Sequence, residues 1–255
     1  MKRVCAIIIA VVALADVAAA QSVPLPRPRP VPAVTTEAPA APSACRLRLT
    51  AKRTIAPAVD PIEGPGECGG TDLVRLEAVT LPDNARVEIS PPAVLRCDMA
   101  EAIVDWVRDD LAPLTASNHG SPLRSIRNFA SYHCRPRNNI IGALVSEHGK
   151  GNALDIRSIA LATGKSIDPT DVQVSKEYRE GWRKSVCARF STVLGPGSDG
   201  YHENHIHVDL MQRRSGFRAM CQWDVRMPEA KAPEVATIPL PPPRPKFELM
   251  GTKSK

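Results

Sequence analysis

Ser146–Ile156 reads SEHGKGNALDI, and about fifty residues further on His202–Leu210 reads HENHIHVDL. The first stretch sets His148 seven residues before Asp155, and the second sets His205 and His207 two apart. Side chains two apart on a strand share a face. HIHVDL read as a strand therefore presents His205, His207 and Asp209 together. Gly149 and Gly151 let the chain turn sharply after His148. Two imidazoles and a carboxylate drawn from separate segments can hold zinc with a fourth position left for water, which is the arrangement of hydrolytic rather than scaffolding sites. These stretches place Asp155 in a strand, His148 in the loop entering it, and His205 and His207 on a second strand.

Working outward, residues 97–114 (CDMAEAIVDWVRDDLAPL) carry Met99, Ile103, Trp106/Val107, Leu111 and Leu114 at helical spacing, with Pro113 helping to end the helix. Residues 175–194 predict a second helix, with Tyr178, Trp182, Val186 and Phe190 every fourth residue, Ser175 as N-cap and Gly195-Pro196 as the stop. Its aromatics read as core. Strands are expected at ARVEI (85–89), near Asn128–Cys134, at ALDIRSIAL (153–161) and at HIHVDL (205–210). The 153–168 stretch has the pattern of a hairpin turning at Thr163-Gly164-Lys165. The expected fold is α+β, with helices packed on a small, mostly antiparallel sheet and no internal repeat.

The ends differ from the middle. Lys2 and Arg3, an apolar run from Val4 to about Leu14, and Ala18-Ala19-Ala20 predict a signal peptide over 1–20, cleaved after Ala20. The run is short for a membrane span and Asp16 interrupts its end; left uncleaved, it would act as a tether. A Pro-rich linker is expected over 21–44 (PLPRPRPVP) and a Pro-rich basic tail over 225–255 (PLPPPRPK). Such segments bury no core and favour extended conformations. They read as spacers, or as docking arms for envelope proteins or anionic wall polymers. Between them, residues 45–224 suffice for one domain with a substantial core.

Beyond Cys5 in the leader, six cysteines remain: Cys45, Cys68, Cys97, Cys134, Cys187 and Cys221. None forms a CxxC pair, and an even set in an exported chain predicts three disulfides with connectivity open. The formal charge of +6 falls to +5 when Lys2, Arg3 and Asp16 leave with the leader. That balance suits an anionic wall or membrane surface. Export, and the lack of a recognition helix or aromatic stacking motif, argue against nucleic acid.

The ligand assignment drawn from these segments is His148, Asp155 and His207 for zinc. His205 points into the same cleft to orient water or stabilise an oxyanion. Glu203 and His202 are further candidates for proton transfer, Glu203 because a regular strand would put it on the face of His205 and His207. Four of the six histidines lie in these two segments. A structural hydrogen-bond network, or adventitious metal binding, would account for the same clustering.

SEHGKGNALDI resembles the S-x-H-x-x-G-x-A-x-D pattern of the D-Ala-D-Ala metallopeptidases, and HIH resembles the closing His-x-His of the wider lysostaphin, D-Ala-D-Ala peptidase and hedgehog group. With SYHCR, GPGSDGYHENHIHVDL and CQW, residues 45–223 resemble the extensin-like C-terminal domain of Gram-negative bacteria. The resemblance implies a hedgehog-like zinc peptidase fold acting on peptidoglycan peptides in the periplasm. It makes His148, Asp155 and His207 the Zn2+ ligands and His205 the catalytic histidine. Arg135 in SYHCR matches the arginine that holds a substrate carboxylate, a role suited to a guanidinium fork. Asn204 stands where many D-Ala-D-Ala peptidases have a catalytic Glu three residues before the last ligand. Three functions remain open: a zinc metallopeptidase, a non-catalytic module binding wall peptides, and a structural metal site in an interaction protein.

Overall fold

The computed structural model describes residues 41–213 and 219–227. The expected leader, most of the Pro-rich linker and the tail beyond 227 lie outside the described residues. A short helix, α1 (Ala44–Arg48), is capped by Ser43 and opens the fold. Four two-residue strands follow: β1 (Thr54–Ile55), β2 (Ala58–Val59), β3 (Ile62–Glu63) and β4 (Gly69–Gly70). Two long strands, β5 (Leu73–Thr80) and β6 (Arg86–Arg96), lead into a continuous helical stretch. That stretch comprises α2 (Cys97–Trp106), a π-turn (Val107–Leu111) and α3 (Ala112–His119). β7 (Leu123–Ala130), β8 (Ala153–Leu161), β9 (Ser166–Ile167), α4 (Lys176–Arg189), β10 (Thr192–Leu194), β11 (Ile206–Asp209) and β12 (Met220–Gln222) complete it.

The fold is α+β with a mixed, mostly antiparallel sheet, but the sheet is not small. Ten strands join it among the described residues, along the path β1-β5-β6-β7-β8-β11-β10-β12, with β2 on β5 and β9 on β8. β6–β7 and β10–β12 are the parallel pairs. A parallel pair needs a long crossover, and residues 97–119 supply it between β6 and β7. The sequence expectation missed β5 and the short strands, which accounts for the difference in size.

Two helix ends also differ from expectation. The first helix runs past Pro113, which sits at the start of α3 behind the π-turn, where a missing N–H costs least. It ends at Gly120, whose φ of 60° suits a left-handed cap. The second helix stops at Arg189, because Phe190 is extended and Thr192-Val193-Leu194 pairs as a strand. Ser175 caps its start by accepting from the Tyr178 amide. Gly164 turns the β8–β9 hairpin at φ 84°.

Strand alternation divides the sheet's two faces. Leu154, Ile156, Ile206 and Val208 point into the core shared with Trp106, Tyr178 and Trp182 of the helices. Trp182 packs 5.9 Å from Trp106 and 6.0 Å from Tyr178, ring centre to ring centre. Asp155, His207 and Asp209 alternate with those core residues and occupy the opposite face. The disulfides pair Cys45 with Cys97, Cys68 with Cys134, and Cys187 with Cys221. Three such bridges belong to an oxidising compartment. Packing continues beyond the expected boundary at 224: Val225 lies against the core, and the Arg226 carbonyl accepts from Arg179. Among the described residues no helix is long and apolar enough to cross a membrane.

Candidate metal centre

The register of the two central strands builds the centre. β8 and β11 run antiparallel with Asp155 directly opposite His207, and cross-strand partners have Cβ atoms about 5 Å apart. The third member comes from a tight turn, Glu147–Lys150, capped by Ser146. Gly149 lies so near its surroundings that a Cβ there would meet Val145 Cγ1 at 2.8 Å and the Cys68 sulfur at 3.1 Å. Gly151 follows at φ 66° and passes its carbonyl to the Arg96 amide. Glu147 is buried and braces this turn by accepting from Asn152 and Lys150. The Cys68–Cys134 bridge therefore underlies the loop that presents His148.

His148 Nε2, Asp155 Oδ1 and His207 Nδ1 form a triangle. Its edges are 3.2 Å between the two nitrogens, 3.2 Å from His148 to Asp155, and 2.8 Å from His207 to Asp155. A tetrahedral ion with bonds of about 2.0–2.1 Å has ligand–ligand edges of roughly 3.3 Å, so the three atoms fit one face of such a site. All three residues are buried. The outer nitrogens are also fixed: His148 Nδ1–H donates to the Ser131 carbonyl at 2.7 Å, and His207 Nε2–H to Asp209 Oδ2 at 3.1 Å. With the outer nitrogens so occupied, the inner nitrogen of each ring is the one left to bind a cation, as outer partners arrange in metal-bound histidines.

The electrostatics suit a cation. Burial would raise the Asp155 carboxyl, but hydrogen bonds and charge from His148 and His207 hold it well below the usual carboxylate range. Burial would lower His207, yet hydrogen bonds to Asp155 and Asp209 outweigh it and raise it to about 9. Zinc binding needs the inner nitrogens deprotonated, so a metal would compete with protons at this centre.

His205 joins the centre from the residue before β11. Its Nε2 lies 3.6 Å from Asp155 Oδ2, and its Nδ1–H donates to the Asn204 side-chain oxygen at 2.8 Å. Burial pushes it down to about 4, against the pull of Asp155. Its ring lies 5.1 Å from that of Phe129. Arg157, two residues after Asp155, donates to the Asn204 carbonyl and holds this turn on β8.

Glu203 does not join the centre. The regular strand begins only at Ile206, so strand parity does not reach residue 203. Its exposed carboxylate turns outward to the Gly197 amide and Arg226. His202 is brought in instead, with its Nδ1–H donating to Asp199 Oδ1 at 2.7 Å and its ring 5.5 Å from that of His207. Neither Asp199 nor Asn204 as a positioning group was legible, since the pairing depends on a turn that spacing does not reveal. Arg135 lines the cleft beside His148, His202 and His207.

Residues 43–222 match the family described as extensin-like protein C-terminus. The match covers most of the chain, and the chain belongs to that family. Neither a curated protein nor a solved structure matches it.

Proposed function

We propose that the chain is a zinc-dependent peptidase that hydrolyses amide bonds in peptidoglycan stem peptides or crosslinks in the periplasm. The observation that carries this reading is the buried His148–Asp155–His207 triangle, sized for a tetrahedral ion, with the outer nitrogen of each ring held by an acceptor and a cleft open beside them. The order and spacing of these residues also resemble the D-Ala-D-Ala metallopeptidases, whose hedgehog-like fold and ligand set the proposal extends to this chain. The disulfides and the signal-like leader support the compartment.

Zinc bound there supplies Lewis acidity, polarising a carbonyl and activating water near neutral pH. The side chains supply the rest. His205 Nε2, oriented by Asn204, faces Asp155 and is placed to accept a proton from the attacking water. His202, oriented by Asp199, is placed to give a proton to the leaving amine, and exchange with solvent resets both imidazoles. Arg135 holds a substrate carboxylate in the cleft.

The second reading, an envelope-binding module without turnover, is favoured by one observation: Asn204 replaces the expected Glu, and Glu203 turns away. Incubating the zinc-loaded exported chain with soluble peptidoglycan fragments separates the two readings by mass spectrometry. New amine and carboxylate ends are expected. Intact fragments that bind without cleavage would overturn the peptidase in favour of the module.

A further inference from the structure

We propose that Arg137 is an anion-binding residue of the cleft beside the metal triangle, taking a carboxylate distinct from the one Arg135 holds. The cleft encloses about 220 Å³, and Arg135, Arg137 and Arg213 all line it. Three carboxylates line it too, but each is already committed. Glu147 accepts from Asn152 and Lys150. Asp199 accepts from His202, Asn138 and the Tyr201 amide. Asp209 accepts from His207 and the Met211 amide. Among the described residues none of them pairs with an arginine of the cleft.

The arginines differ in what they touch. Arg213 donates to the Ser191 carbonyl at 2.6 Å and to Thr192 Oγ1 at 2.8 Å. Half-buried Arg137 has only the Met211 sulfur, at 3.4 Å, as a side-chain partner among the described residues. A thioether is a weak acceptor, and a guanidinium carries five donors. A half-buried cation so poorly bonded is matched by a planar anion that accepts two hydrogen bonds at once.

The backbone holds Arg137 at this place. Its amide donates to the Leu144 carbonyl at 3.0 Å. The next two residues, Asn138 and Asn139, take left-handed φ values of 52° and 57°, which asparagine tolerates better than most residues. Asn138 then donates to Asp199 Oδ2 at 3.2 Å, so the turn carrying Arg137 is pinned to the aspartate that orients His202. The anion site rests on the cleft alone. Its reading as the place of a second substrate carboxylate, and hence of a substrate with two carboxylates near the scissile amide, rests on the peptidase proposal.

The test uses the zinc-loaded exported chain and three probes: glutarate, its monoamide and its diamide, titrated by NMR. The monoamide keeps one carboxylate for Arg135 or the metal, so the gain on adding the second reports on Arg137. Glutarate is expected to bind about tenfold more tightly than the monoamide. Arg137→Gln should erase that gain while leaving monoamide affinity and melting temperature unchanged, and Arg137→Lys should restore part of it. Equal binding of glutarate and monoamide, or an unaltered gain in Arg137→Gln, overturns the proposal. Glutarate discrimination without peptide cleavage would keep the anion site and remove the peptidase; cleavage without the discrimination would do the reverse.

Discussion

Asp209→Asn should damage the metal centre without touching a ligand. Asp209 is buried, accepts from His207 Nε2 at 3.1 Å through one oxygen, and accepts the Met211 amide at 2.9 Å through the other. Asparagine has nearly the same shape and keeps one oxygen for Met211, so its amide nitrogen then faces His207 Nε2. Two donors cannot share that contact. Either the contact opens, or the His207 ring moves its proton to Nδ1, the atom that faces Asp155 and the metal position. Loss of such an outer partner typically weakens metal binding about 10–100-fold, or ~1.4–2.7 kcal/mol. Chelator competition on folded wild-type and variant protein measures the ratio. A variant that binds zinc within about twofold of wild type would refute the proposed tautomer lock.

Three further outcomes are expected. His205→Ala should keep zinc and lose turnover by about 10²–10⁴-fold, the usual contribution of a positioned proton-transfer group; full activity on the peptidoglycan fragments would remove His205 from the mechanism. The double substitution Cys68→Ser with Cys134→Ser opens a cross-link spanning 66 residues. It should lower stability by up to about 4 kcal/mol in the chain-entropy view and also weaken zinc binding, because Gly149 rests on that sulfur; unchanged zinc affinity would separate the bridge from the centre. Trp182→Ala empties a fully buried site between Trp106 and Tyr178 and should cost about 3–5 kcal/mol by denaturant titration, with a loss under ~1 kcal/mol arguing against this packing.

The centre was more legible than the sheet around it. Alternation in ALDIRSIAL and HIHVDL places Asp155 and His207 opposite their core neighbours, and strand parity follows directly from sequence. The antiparallel pairing that sets them face to face is a long-range fact that no local pattern encodes. β5 (Leu73–Thr80) was missed, although seven of its eight residues are at least half-buried. A strand covered on much of its surface loses the clean alternation that marks an amphipathic one. The helix after Ser175 was legible at its cap but not at its end, because Phe190 continues the apolar spacing while its backbone is already extended. Glu203 failed for the same reason in reverse: the strand pattern was carried past the point where hydrogen bonding begins. Disulfide pairing was open in the sequence, and only the fold brings Cys68 under the His148 loop.

Elemental mass spectrometry of the exported chain, beside His148→Ala, tests the central claim most directly. About one zinc per chain, lost in a folded His148→Ala variant, is the predicted result. A folded wild-type protein that holds no metal after zinc has been supplied would contradict it.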